Sequence, residues 1–139
     1  MTAIVVTAAQ IGVVDPIKSH IKSYIAAAAI TRGQACYVDS AGKAALCDGN
    51  GSGTKQFRGI ALKTVAAGEA TDLLQEGEMY GFTLAGAYDS LVYVGDVAGE
   101  LADSAGSTAI VVGRVSVLTN YPTLTKVLRV TVQWEADWA

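Results

Sequence analysis

Alternation of apolar and polar positions is clearest near the end of the chain. Residues 126–134 read KVLRVTVQW, and they fall into two interleaved sets: Val127, Arg129, Thr131 and Gln133 against Leu128, Val130, Val132 and Trp134. Side chains two apart share one face of a strand, so this pattern is typical of a strand with one buried side. It predicts a half-buried strand over 126–134.

Residues 17–25 carry two patterns at once. Asp15 is suited to cap a helix and Pro16 to occupy its first turn, and isoleucine recurs at helical spacing of four: Ile17, Ile21 and Ile25. The same residues also alternate with Lys18, His20, Lys22 and Tyr24, as in a strand. A strand is favoured, because good helix-forming residues are missing before Ala26.

Between these segments the sequence indicates short strands separated by turns. Residues 57–65 are predicted to form a strand, and 75–77 is predicted to be a hairpin-like break between strands at 70–74 and 78–84. Turns about every 8–12 residues are typical of β-sandwiches and barrels. A parallel α/β sheet is not expected, because no helical pattern of about 10–15 residues alternates with the strands.

Two segments of the chain resemble each other, at 34–62 and 90–118. Each contains a tyrosine followed by valine, an Ala-Gly turn, a second short strand ending in aspartate, and a glycine that opens a closing apolar strand. The tyrosines are Tyr37 and Tyr93, and the glycines are Gly59 and Gly113. Two copies are too few for a solenoid, so a duplicated β unit is predicted. The alternative is that two unrelated β-hairpins look alike.

The first 14 residues, MTAIVVTAAQIGVV, are apolar and rich in β-branched side chains. Fully extended, they would reach about 45–50 Å, further than the width of a small domain. They are predicted to form an arm, 1–14, that pairs with a neighbouring molecule, and the alternative is a first core strand. The predicted fold is therefore all-β, a small β-sandwich or barrel (jelly-roll or tulip-like) over 15–139, with an internal two-fold repeat and an extended N-terminal arm.

The composition excludes some classes of function but does not identify one. The chain has 139 residues, enough for one domain with a core, and 51% are apolar while 17% are charged. Small-domain surfaces usually carry about 25–35% charged residues, so part of this surface is expected to be an interface. The net charge is −3 and no basic cluster is present, which argues against nucleic acid as a partner.

The two cysteines, Cys36 and Cys47, are predicted to be buried free thiols, although a hairpin could place them on facing strands. Val92 and Ala102 occupy similar places in the second segment. The start of the chain shows no signal peptide, and no stretch approaches the ~20 apolar residues of a membrane helix. A chain made in a reducing cytoplasm, with no membrane partner, is expected.

Residues suited to catalysis are scarce. The single histidine, His20, stands between Lys18 and Lys22, which repel a metal cation. The glycine-rich 49–53 is not followed by the Gly-Lys-Ser/Thr of a phosphate loop, and no serine lies in a G-x-S-x-G turn. The acidic residues around 69–78 are typical of a solvated turn region. No enzyme activity, metal or cofactor is expected.

The order of several short motifs resembles small decoration proteins, also called cement or head-stabilising proteins, of tailed-bacteriophage capsids. The motifs are GQACY at 33–37, GIAL at 59–62, AGE at 67–69 and LVY at 91–93, within a similarity that covers 25–132. The resemblance implies a β-rich, non-enzymatic virion protein, made in the host bacterial cytoplasm. It further implies a place on the outer face of an icosahedral head, where the protein clamps neighbouring major capsid protein subunits. Such proteins form dimers or trimers at capsid symmetry axes.

The residues proposed for contacts with the capsid or with a second copy are apolar or aromatic and lie towards the chain ends: Ile4, Val5, Val6, Ile11, Tyr121, Trp134 and Trp138. Of the two tryptophans, one is expected in the core and the other at an interface. The alternative function is a small ligand- or carbohydrate-binding β module, in which aromatic side chains would line a concave site.

Overall fold

Twelve strands and two 3-10 turns form the described part of the computed structural model, which comprises residues 3–51, 53–120 and 122–138. The strands are β1 (Val5–Val6), β2 (Gly12–Val13), β3 (His20–Ile25), β4 (Ala35–Val38), β5 (Ala44–Leu46), β6 (Gly59–Ala61), β7 (Ala70–Tyr80), β8 (Phe82–Thr83), β9 (Leu91–Val94), β10 (Leu101–Ala102), β11 (Val111–Asn120) and β12 (Thr123–Thr131). The turns are Ala8–Gln10 and Pro16–Lys18. The predicted all-β class is confirmed.

Ten of the strands form one curled antiparallel sheet, a half-barrel. Its order is β10-β9-β11-β12-β7-β6-β4-β5, and β2 and β3 also pair with β7. The remaining two strands, β1 and β8, pair with each other. The long strand β7 is therefore the central strand of the sheet, because four other strands pair with it: β12, β2, β3 and β6.

The two similar sequence segments have the same strand order. In each, the first strand lies in the middle, between the second and the third: β5-β4-β6 and β10-β9-β11. The registers also agree, since Cys36 pairs with Gly59 in one unit and Val92 with Gly113 in the other. The second strand of each unit, however, is shifted relative to the correspondence expected from the sequence. Ala102 pairs with Tyr93 and so matches Ala45, not Cys47.

The ambiguous segment after Asp15 contains both predicted features in succession. The Asp15 carboxylate accepts a hydrogen bond from the Ile17 N–H (3.1 Å) and caps a single 3-10 turn that begins at Pro16. The strand β3 follows from His20. The strand prediction was correct for the second part, and the cap prediction was correct for the first.

The predicted break at 75–77 is wrong, because β7 runs through it without interruption. Gly77 has a φ of 144°, and a Cβ there would lie 2.5 Å from Ser19 Oγ. Glycine is therefore needed for close approach of the chain around Ser19, and the ladder continues past it to Met79. The strand predicted over 57–65 is shorter than expected and is limited to Gly59–Ala61.

The sheet buries apolar side chains on both faces. The main core fills the curl and includes Phe57, Leu74, Met79, Leu128 and Val130. A smaller core lies on the other face: Ala26, Ile30, Cys36, Ala44, Ala61 and Leu73. A sheet covered on both faces explains the high apolar content without requiring all of it to serve an interface.

The two cysteines lie on opposite faces of the sheet. Cys47 belongs to the main core and Cys36 to the smaller one, and both are free and buried. A disulfide between them would require one side chain to cross the sheet, so the predicted free thiols agree with the structure. Burial raises the pKa of each thiol to about 12.

Thiol-specific reagents at neutral pH are expected to leave both cysteines unlabelled in the folded protein. With a pKa of about 12, only about one thiol in 10⁵ is ionised at pH 7, and the thiolate is the reactive form. Both thiols should react rapidly once urea unfolds the chain. Rapid labelling of either cysteine without denaturant would contradict this burial.

Candidate functional site

The N-terminal residues proposed for contacts lie mainly in the chain's own core. Ile4 and Ile11 are only 6% and 4% exposed and belong to the main core, and Val6 packs against it. The Ile4 N–H donates to the Leu101 carbonyl (2.9 Å), and β1 pairs with β8. Only Val5 is exposed, at 63%. The structure therefore matches the alternative of a first core strand, and Ile4 and Ile11 are not available to a partner.

The two C-terminal tryptophans have different environments. Trp138 packs against the main core, and Gln56 holds the chain there: its amide group donates to the Trp138 carbonyl (2.8 Å) and accepts from the Trp138 N–H (3.3 Å). Trp134 is 54% exposed, with the Arg58 guanidinium 4.9 Å from its ring centre. Tyr121 lies outside the described residues.

The β11–β12 hairpin exposes apolar side chains that the sequence did not single out. Val115 and Leu128 pair across it and are buried in the main core. Val117, two residues further along, and Leu124, which pairs with Thr119, lie on the same face but are 43% and 59% exposed. The core-facing side of the hairpin therefore continues beyond the core.

Tyr88 and Lys126 extend this surface. Lys126 pairs with Val117 across the hairpin, and its ammonium lies 5.5 Å from the centre of the exposed Tyr88 ring. The same ammonium donates to the Gly86 carbonyl (2.7 Å). We refer to Tyr88, Val117, Leu124 and Lys126 as the hairpin surface. It combines apolar area with one fixed positive charge.

The strand β3 provides a second exposed apolar row. Ile21 and Ile25 are exposed on the strand, and Ile17 is exposed on the preceding turn. The sequence showed this spacing of isoleucines and predicted a strand, without indicating how far its side chains would be exposed. Of the six residues in β3, only Tyr24 is partly buried.

Three shallow grooves on the described surface have polar or aliphatic linings. One, of about 400 Å³, lies over Arg114 and Arg129, which pair directly across β11 and β12. A second, of about 280 Å³, has Lys18, Glu78 and Arg129 in its wall. A third, of about 300 Å³, lies between the first strand and residues 97–101. No aromatic side chain lines any of the three.

The described residues contain no group of three or more His, Cys, Asp or Glu side chains that could hold a metal ion. His20 is exposed on β3. Of the acidic residues predicted to be solvated, Glu69 lies in the turn before β7, where its carboxylate accepts from the Ala66 N–H (2.6 Å), and the others lie in β7. There Asp72 accepts from the Ser23 hydroxyl and lies 3.6 Å from the Lys63 ammonium, and Glu78 accepts from the Ser116 hydroxyl (2.7 Å). These carboxylates thus have structural partners, and the site candidates that remain are the two apolar surfaces.

Comparisons of the chain with known protein families, with curated proteins and with solved structures found no match. In the described part of the chain, no helix has the length and apolar character to cross a membrane.

Proposed function

We propose that this protein is a structural virion component that binds the outside of an icosahedral bacteriophage head and cements neighbouring major capsid protein subunits. In this proposal it acts as no enzyme and needs no cofactor. The observation that carries the proposal is the hairpin surface, a projecting apolar area that its own core leaves uncovered. Exposed apolar area rimmed by polar residues marks interaction sites in proteins.

The ordered motifs over 25–132 are the reason for proposing a phage capsid as the partner. They resemble capsid decoration proteins, and the all-β fold with covered sheet faces suits a domain that serves as a rigid clamp. The alternative of a carbohydrate- or small-ligand-binding module has less support, because the three grooves lack the aromatic lining that such sites use.

The proposed cementing effect follows from the thermodynamic linkage between binding of this protein and assembly of the shell. A protein that binds an assembled shell but not the separate subunits stabilises the shell by mass action. Each copy needs to contribute only a small free energy, because many copies act on one shell. The predicted binding surface should therefore recognise a junction between subunits, not a single subunit.

Purified protein is expected to co-sediment with assembled heads built from the major capsid protein of the same genome, and not with unassembled subunits. The double substitution Val117→Lys and Leu124→Lys should weaken this binding at least about 100-fold. Each apolar side chain is worth about 1.5–3 kcal/mol when buried, and each 1.4 kcal/mol is tenfold in affinity.

Val97→Lys is the matched control. Val97 is as exposed as Leu124 but lies between β9 and β10, away from the hairpin. It should bind heads within about twofold of the unsubstituted protein, as surface substitutions away from an interface have small effects. Equal binding by the double variant and the control would remove the hairpin surface from the proposal. No binding to heads by the unsubstituted protein would overturn the proposed function itself.

A further inference from the structure

Two arginines lie directly opposite each other on neighbouring strands. Arg114 of β11 pairs with Arg129 of β12, so their side chains leave the same face of the sheet with Cβ atoms about 4.5–5.5 Å apart. Both side chains are exposed. Like charges placed directly opposite in a sheet are destabilising. An anion held between the two guanidinium groups would remove this repulsion.

The acidic side chains near the arginine pair do not bridge it. Glu76 lies 3.9 Å from the Arg129 guanidinium, but both side chains are more than half exposed, and such ion pairs are weak in water. Glu78, which pairs with Arg129 across β7 and β12, accepts a hydrogen bond from the Ser116 hydroxyl (2.7 Å). Within the described part of the chain, Arg114 forms no ion pair.

The backbone holds the Arg114 guanidinium in position. This guanidinium donates a hydrogen bond to the Asp89 carbonyl (2.6 Å), and the Asp89 N–H donates to the Val115 carbonyl (2.7 Å). The acceptor is therefore fixed to β11 beside Arg114. A guanidinium has five N–H donors, so most of them are still available to a ligand. A side chain that is already positioned loses less conformational entropy on binding.

The groove of about 400 Å³ over these arginines has no acidic residue in its lining. The two other grooves each include carboxylates or a carboxylate: Asp15 and Glu78 in one, and Glu100 in the other. Besides the arginines, the lining of the first groove is aliphatic or neutral: Leu91, Val111, Gly113, Thr131 and Gln133. The groove therefore combines positive charge with apolar area.

We propose that this groove binds an acidic side chain from an otherwise apolar segment of a partner protein, with the carboxylate held between Arg114 and Arg129. Guanidinium groups match the planar geometry of a carboxylate and bind it by charge-assisted hydrogen bonds. Apolar neighbours of the acidic residue would contact Leu91 and Val111. A nucleic acid does not fit, because two cations on a chain with a net charge of −3 are not a basic stripe.

The groove and the hairpin surface lie on opposite faces of the β11–β12 hairpin. Side chains alternate along a strand, so Arg129 leaves the face opposite to that of Leu124, and Arg114 the face opposite to that of Val117. Both sites can therefore be occupied at once. The proposed bridging of two capsid subunits requires two separate contacts, and the groove supplies the second. The inference rests on the proposed function only for the identity of the partner.

NMR spectroscopy of the isotope-labelled protein, titrated with the capped peptide Gly-Leu-Glu-Leu-Gly, tests the inference without capsids. Signals of the groove residues should shift, with a dissociation constant in the millimolar range expected of so small a ligand. The same peptide with glutamine in place of glutamate should bind at least about ten-fold more weakly, because its hydrogen bonds lack the charge. Raising NaCl from about 20 mM to about 1 M should weaken binding several-fold by screening.

Arg114→Gln and Arg129→Gln should each weaken binding of the glutamate peptide at least about ten-fold. Lys43→Gln removes the same charge from an exposed position before β5, outside the groove, and should bind within about twofold of the unsubstituted protein. The spectra also show whether each variant is folded, and either arginine variant alone is sufficient for the test. No shifts at about 10 mM peptide, or equal binding by the arginine variants and Lys43→Gln, would overturn the proposal. Tighter binding of inorganic phosphate than of the peptide would also overturn it, since the site would then recognise phosphate.

Discussion

Replacing Gly113 by alanine is expected to lower the free energy of unfolding by about 3 kcal/mol, a large fraction of the total stability of a typical small domain. A Cβ at this position would lie 1.8 Å from the Arg129 carbonyl oxygen and 2.8 Å from its carbon. Both are backbone atoms of the paired strand β12, so no side chain can turn aside to make room. The alanine can be accommodated only by separating β11 from β12.

Gly42→Ala is the control for this substitution. Gly42 has a φ of 81°, but a Cβ there would meet no atom within 4 Å. Its replacement should cost only about 1–2 kcal/mol, the strain of a left-handed alanine. Urea denaturation followed by tryptophan fluorescence gives both values. A Gly113→Ala protein no less stable than Gly42→Ala would show that the β11–β12 contact is looser than described.

Ile4→Ala is expected to lower the free energy of unfolding by about 2–5 kcal/mol, whereas Val5→Ala should change it by no more than about 0.5 kcal/mol. The two residues are neighbours with opposite orientation: Ile4 is in the main core and Val5 faces solvent. The same reasoning applies to removal of residues 2–12, which would delete both Ile4 and Ile11. The truncated protein is expected to unfold, because two core side chains and the partner strand of β8 are lost together.

Thermal denaturation of the two point variants and of the truncated protein provides the measurement. Equal stability of Ile4→Ala and Val5→Ala, or a truncated protein that folds with nearly full stability, would show that the first strand is separable from the core. In that event an arm available to a neighbouring molecule would again be the better description.

The sequence predicted the fold class and the repeated unit well, because both depend on local periodicity. Tyr37 and Tyr93, with the glycines that follow them, marked two units that have the same strand order. The break predicted at Gly77 failed for a physical reason. A glycine that ends a strand and a glycine that lets a distant segment approach are identical in sequence, and only the position of Ser19 distinguishes them.

The candidate contact residues were predicted less well, because exposure depends on where the core ends. Ile4 and Val5 have similar propensities, yet one is buried and the other exposed. Val117 and Leu124 follow the same alternation as the buried Val115 and Leu128 and become exposed only because the hairpin extends past the curl of the sheet. Alternation reveals which face a residue occupies, but not whether another element covers that face.

Electron cryomicroscopy of heads assembled with and without this protein tests the proposed decoration function most directly. The proposal predicts additional density on the outer surface, at junctions between major capsid protein subunits, with the hairpin surface facing the shell. Heads assembled without the protein should lack that density and regain it when purified protein is added. Density confined to the inside of the shell, or identical maps with and without the protein, would contradict the proposal.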